Sequence, residues 1–264
     1  MPTAVVGDLT IHYKEQGRGE PVVLVHGNTS SSVWWEYTLE RLGDAYHFIA
    51  PDLRGRGDTT GPSAEWTVEM LAGDLRGLVE HLGLGAAHFV GHSLGSSVVL
   101  QYALDHPAEV KSLLLLNPGW VAGDMPAAVG DPARVQQMVA DKALLKMALR
   151  GIAMLHPADD NWQRLEAASL KQTDEASLRG PVALSAWAVV DRLHALAGIP
   201  ALVVRGAQDQ YISTEAVCRT IVENLPGAEY VEIPAASHSP NVEAPDAWAA
   251  VLRQHLAGVT RQRS

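Results

Sequence analysis

Residues 87–104 read Ala87-His88-Phe89-Val90-Gly91-His92-Ser93-Leu94-Gly95-Ser96-Ser97-Val98-Val99-Leu100-Gln101-Tyr102-Ala103-Leu104. An apolar run ends in Gly-His-Ser-Leu-Gly and opens into a helix-like stretch, which puts Ser93 on a strand-to-helix corner. Such a corner strains the serine backbone and crowds strand against helix. It is tolerable only where Gly91 and Gly95 bring no side chains into the crowded space. The Ser93 hydroxyl is then expected to stand exposed above a sheet.

Working outward, the apolar runs Val22 to Val25, Phe48 to Ala50, Ala87 to Val90 and Leu113 to Leu116 are continuous, as in parallel strands buried on both faces. Leu9 to Gln16 alternates apolar and polar residues, as an antiparallel edge does. Helical patterns at Trp34 to Leu42, Thr67 to Leu82 and Leu94 to Asp105 separate the runs, which predicts an α/β fold with helices on both faces of a parallel sheet. The rhythm stops after Asn117-Pro118-Gly119, and Val121 to Leu193 reads as helices without a convincing strand. It resumes with strands at Ala201 to Val204 and Tyr230 to Ile233 and helices at Thr214 to Asn224 and Asp246 to Leu256. One domain is expected, with a core at 1–118 and 195–264 and a helical cap inserted at 119–194.

Composition narrows the function classes. The 264 residues are 47% hydrophobic and carry 20 Lys plus Arg against 30 Asp plus Glu, a net charge of −10. That charge repels nucleic acid and anionic membrane surfaces. No apolar run approaches the ~20 residues of a membrane span, and Met1 to Val6 lacks the pattern of a signal peptide, so the cytoplasm is the expected location. The single cysteine, Cys218, excludes an internal disulfide or a cysteine metal cage and reads as a buried helix residue. No histidine cluster has metal-ligand spacing, and Gly55-Arg56-Gly57 does not make a nucleotide loop, so neither metal nor cofactor is expected.

A serine hydroxyl needs a base within hydrogen-bond reach, and that base needs a group to fix its tautomer. Asp209 follows the strand Val203-Val204-Arg205-Gly206, and His238 follows the last strand, so both are expected at the carboxyl edge of the sheet, where ligands gather. The chain order Ser93, Asp209, His238 resembles that of the α/β-hydrolase superfamily. His26-Gly27-Asn28, Asp52-Leu53-Arg54-Gly55-Arg56-Gly57 and His238 followed by Glu243-Ala244-Pro245 resemble further segments of that family.

The resemblance implies an oxyanion hole built from the backbone amides of Asn28 and Leu94, with the side-chain amide of Asn28 a possible addition. Asp124, in the loop after the preceding strand, competes with Asp209 for the acid role. His26 and His92 are expected to shape the loops rather than to react. Trp34, Trp35, Leu145, Met147 and Leu149 are the candidate pocket residues. Apolar positions from Leu144 to Leu155, with Lys142, Lys146 and Arg150 at i, i+4 spacing, describe an amphipathic helix. It either shows a solvated basic face or roofs the site.

The implied chemistry is hydrolysis of a small, fairly apolar ester, thioester or lactone through an acyl-enzyme on Ser93, without a cofactor. Carbon-carbon bond hydrolysis, perhydrolysis and acyl transfer use the same three residues, and a slow or non-catalytic receptor of this fold would also keep them. The string His26-Gly27-Asn28 resembles the matching loop of haloalkane dehalogenases, whose carboxylate nucleophile is replaced here by Ser93. It also resembles that of acyl-homoserine-lactone hydrolases.

Overall fold

The alternation of side chains along a strand explains the continuous apolar runs. The computed structural model describes residues 2–126, 129, 131–153 and 160–263. Strands β1 (Thr3–Val6), β2 (Leu9–Gln16), β3 (Pro21–Val25), β4 (His47–Pro51), β5 (Ala87–His92), β6 (Val110–Leu116), β7 (Ala201–Gly206) and β8 (Glu229–Ile233) form one sheet in the order β1-β2-β4-β3-β5-β6-β7-β8. From β4 to β8 all pairing is parallel, while β1 and β2 join antiparallel. On β6, Leu113 and Leu115 enter one hydrophobic cluster, and Leu114 and Leu116 enter another on the opposite face. Val23 and Val25 against Val22 and Leu24 repeat the division on β3. Each such side chain removed from water contributes about 1.5–3 kcal/mol, so a strand between two helical layers is apolar at every position.

Helices α1 (Glu36–Leu42), α2 (Val68–His81), α3 (Leu94–Asp105), α4 (Pro132–Ala140), α5 (Lys142–Ala153), α6 (Asp160–Ser169), α7 (Asp174–Ala186), α8 (Glu215–Asn224), α9 (Pro240–Glu243) and α10 (Pro245–Arg263) are joined by 3-10 turns at Ser32–Trp35, Pro107–Glu109 and Val190–Leu196. Local chemistry sets several of their starts. Thr67, Thr173 and Thr214 accept the amides of Met70, Ala176 and Val217 and so cap α2, α7 and α8. Cys218 is buried on α8, where burial pushes its thiol up to about 12.

Strand β1 has no counterpart in the sequence reading. It is four residues long and half exposed, turning into β2 at Gly7 (φ 56°), too short to show a period. Between β6 and β7 the described residues form α4 to α7 and short turns, with no strand among them. No described helix is long and apolar enough to cross a membrane.

Candidate active site

Parallel strands deliver their carboxyl ends to one edge, and the loops after β3, β5, β6, β7 and β8 meet there. Ser93, between β5 and α3, adopts φ 51° and ψ −118°. A β-carbon at Gly91 would collide with the Gly95 carbonyl, and one at Gly95 with the Val25 carbonyl of β3. The two glycines therefore let α3 start against the sheet and hold the strained serine in place.

His238, in the loop after β8, places Nε2 3.0 Å from Ser93 Oγ and Nδ1 2.6 Å from Asp209 Oδ2. Asp209 is buried. Burial pushes its carboxyl up, but the hydrogen bond and charge of His238 and the amides of Ile212 and Ser213 outweigh this and hold it well below the usual carboxylate range. An ionised carboxylate only accepts, so Nδ1 carries the proton and donates to Asp209. The Nε2 lone pair of the neutral ring then faces the Ser93 hydroxyl. The arrangement can remove the serine proton and stabilise the resulting imidazolium.

Residues outside this trio fix its geometry. Asn117, at φ 42° just after β6, donates from Nδ2 to Asp209 Oδ2 (3.0 Å) and to the Ser237 carbonyl (3.1 Å), and accepts the Gly206 amide (2.9 Å). From the sequence, Asn117 marks only the start of a loop. Its polarity amid Leu113 to Leu116 and Pro118 was the available signal. Asp124, the competing acid, is exposed and makes no contact with His238. Glu243 of α9 accepts the amides of Ser237 and Ser239, each at 2.7 Å, and so brackets the loop that carries His238. Burial pushes its carboxyl up to about 7, against the opposing pull of those two amides and of His238.

The two neighbouring histidines support loops. His26 accepts the Leu53 amide at Nε2 (3.0 Å), so Nδ1 carries the proton and donates to the Gly27 carbonyl (2.8 Å); burial lowers its pKa to about 4. His92 donates from Nε2 to the His238 carbonyl (2.7 Å), and burial with the nearby His238 lowers its pKa to about 3. Both are neutral props near pH 7.

Asn28 follows Gly27, where a β-carbon would lie 3.1 Å from Ser93 Cβ, so this loop borders the serine directly. Leu94 is the buried first residue of α3, whose amino end favours negative charge. A cavity of about 820 Å³ opens over Ser93 and His238, lined on its apolar side by Trp34, Trp120, Leu145 and Leu149 among others.

Two expected pocket residues lie elsewhere. Trp35 is fully buried under the sheet's other face, its ring 6.1 Å from that of Trp248, because the turn at Ser32–Trp35 sends adjacent tryptophans in different directions. Met147 is 64% exposed, since a two-residue step from Leu145 crosses to the far side of α5. The basic stripe of that helix is not simply solvated: Lys146 and Arg150 pair with Glu166 of α6, and Lys142 with Asp174. Met154 and Leu155 lie outside the described residues.

His12, Asp52 and Asp58 come close enough to suggest a cation site that spacing along the chain had not revealed. Both Asp52 oxygens and one Asp58 oxygen already have protein partners. Asp52 accepts the amides of Ser32 (2.6 Å) and Asp58 (2.9 Å) and faces His12 Nδ1 (2.6 Å), while Asp58 pairs with Lys171.

Fold and site together define an α/β architecture with a serine elbow and its histidine-carboxylate partner at the carboxyl edge of the sheet. A family model described as alpha/beta hydrolase fold matches residues 20–245, and the chain belongs to that family. A 2-(acetamidomethylene)succinate hydrolase of Mesorhizobium japonicum is 29% identical over 251 residues, 91% of this chain and 89% of the relative. A soluble epoxide hydrolase of Corynebacterium sp. (strain C12) is 37% identical over 124 residues, which is 46% of this chain and only 43% of that relative's length. The solved structure of a thermophilic esterase from Thermogutta terrifontis, malate bound, superposes with a TM-score of 0.88 at 24% identity, over 98% of this chain and 99% of its own.

Proposed function

We propose that this protein is a serine hydrolase that cleaves a carboxylic ester, thioester or lactone of a small, fairly apolar substrate. The hydrogen-bonded chain Ser93 Oγ, His238 and Asp209 carries the reading, at 3.0 and 2.6 Å. Oγ attacks the carbonyl carbon while its proton passes to His238 Nε2 and the carbonyl electron pair moves onto oxygen. The backbone amides of Asn28 and Leu94 receive that oxyanion, each such donor being worth roughly 2.7–4 kcal/mol. Collapse expels the alkoxide or thiolate, which takes the proton from His238. Water then gives a proton to the same nitrogen as it attacks the acyl carbon, and collapse of this second tetrahedral intermediate breaks the bond to Ser93 Oγ, which takes that proton back from His238 and releases the acid. The helices of 119–194 act as a cap, because Leu145 and Leu149 of α5 and residues of α4 and α7 line the cavity with Ser93. The relatives named as hydrolases support water as the final acceptor.

A fluorophosphonate probe tests the nucleophile: Ser93 is labelled, and His238→Ala prevents labelling. Labelling of another residue, or undiminished labelling in the variant, overturns the assignment. A panel of esters, thioesters and lactones graded by acyl length, with products identified by mass, then selects the substrate class.

A further inference from the structure

Arg56 lies fully buried in the loop after β4 and touches the site through one atom pair. Its Nη2 donates to Asn28 Oδ1 at 2.5 Å and to the Ala176 carbonyl of α7 at 3.0 Å, and its guanidinium lies over the Trp66 ring at 5.1 Å. Nε and Nη1 are buried without a hydrogen-bond partner, and among the described residues Arg56 has no ion-pair partner. Burial lowers the guanidinium to about 9, so it is still a cation at neutral pH. An unneutralised cation in this position is costly to keep. Among the described residues, the one side chain that hydrogen-bonds it is Asn28, a residue of the cavity wall.

Guanidinium groups have no acceptor, so the Asn28 atom facing Arg56 is the carboxamide oxygen. Gly180 of α7 closes the same side, since a β-carbon there would stand 2.7 Å from Oδ1. Asn28 lines the cavity together with Ser93, and its NH2 group makes no hydrogen bond among the described residues. We propose that the Asn28 side chain is a further catalytic donor to the oxyanion, and that Arg56 is the positioning residue that turns its NH2 toward that oxygen and backs it with positive charge. Polarised by Arg56, this donor matches negative charge better than a neutral carbonyl, so it acts in the transition state rather than on ground-state binding. The inference rests on the serine-hydrolase reading above.

Hydrolysis of 4-nitrophenyl acetate is measured for the wild type and for Asn28→Asp, Asn28→Ala, Arg56→Met and Arg56→Lys, with thermal midpoints and calorimetric affinity for phenylboronic acid, whose serine adduct is a tetrahedral anion. Asn28→Asp gives Arg56 a carboxylate partner and removes the donor. It keeps or raises the midpoint while kcat falls about 10²-fold and KM stays within about twofold. Boronate affinity falls with kcat, Asn28→Ala and Arg56→Met behave alike, and Arg56→Lys recovers part of the rate. A stable Asn28→Asp with undiminished kcat and boronate affinity overturns the proposal, even if Arg56→Met fails to fold. A wild type that neither turns over the ester nor binds the boronate overturns the serine-hydrolase reading, and this inference with it.

Discussion

The loops that carry Asp209 and His238 and the cavity side of helices α4 to α7 differ in how fully their polar groups are partnered. Asp209 alone accepts from His238, Asn117 and the amides of Tyr211, Ile212 and Ser213, and the loop of His238 is held by Glu243, His92 and Asn117. In the inserted segment, Gln172 borders the cavity with both amide atoms unpartnered, and Trp162 Nε1 and Ser169 Oγ are buried without partners. Over the cavity that segment packs on the core through Leu149, Trp162 and Leu165 against Trp34 and Val242, while Arg164–Glu36, Lys171–Asp58 and the Thr173 amide on the Gly55 carbonyl tie it down at the rim. Directional bonds fix the reacting atoms, and non-directional contacts shape the space above them. The sheet edge is therefore sensitive to single atoms. The insert is sensitive to volume.

That contrast breaks if the edge tolerates isosteric change. Ser93→Ala or His238→Ala lowers kcat by about 10⁶-fold with the fold intact, read from ester kinetics alongside circular dichroism. Asp209→Asn lowers it by about 10⁴-fold through loss of the correct imidazole tautomer, whereas Asp124→Asn stays within about twofold. The reverse result, a large loss in Asp124→Asn and a small one in Asp209→Asn, would move the acid to the earlier loop.

On the insert, Leu149→Ala costs about 2–5 kcal/mol of stability and widens the preferred acyl chain. Met147→Ala changes stability by less than about 0.5 kcal/mol and leaves the substrate profile alone. Equal responses, in denaturant titrations and the acyl-length panel, would remove the distinction between the two faces of α5.

A stability effect confined to a pH window concerns Glu243. A carboxyl raised to about 7 in the folded chain binds its proton more tightly there than in the unfolded one. Its contribution is complete below the ordinary carboxyl value of about 4.3 and is lost as pH rises through 7. Relative to Glu243→Gln, the wild type loses on the order of 2 kcal/mol between pH 5 and pH 7. Parallel stability curves for the two proteins would show that this carboxyl does not titrate in that window.

Much of the fold was legible because burial on both faces writes itself as continuous apolar runs. Strands β3 to β7, α3 at Leu94–Asp105 and the corner at Ser93 follow from that rule and from two glycines. β1 was not legible, being too short to show a period, and neither was the opposite course of Trp34 and Trp35, which a single turn decides. Asn117 and Arg56 escaped because their roles depend on partners 92 and 28 residues away.

Sequence by itself determined the strands β3 to β7, the helices between them and the strained serine corner before α3, since these rest on local sterics and on the period of apolar residues. Only the tertiary structure decided that imidazole, carboxylate and hydroxyl meet within 3.0 Å, and that a buried guanidinium turns one carboxamide beside them. Hydrogen bonds are short and directional, so their partners are set by where the folded chain places each atom and not by neighbours along it.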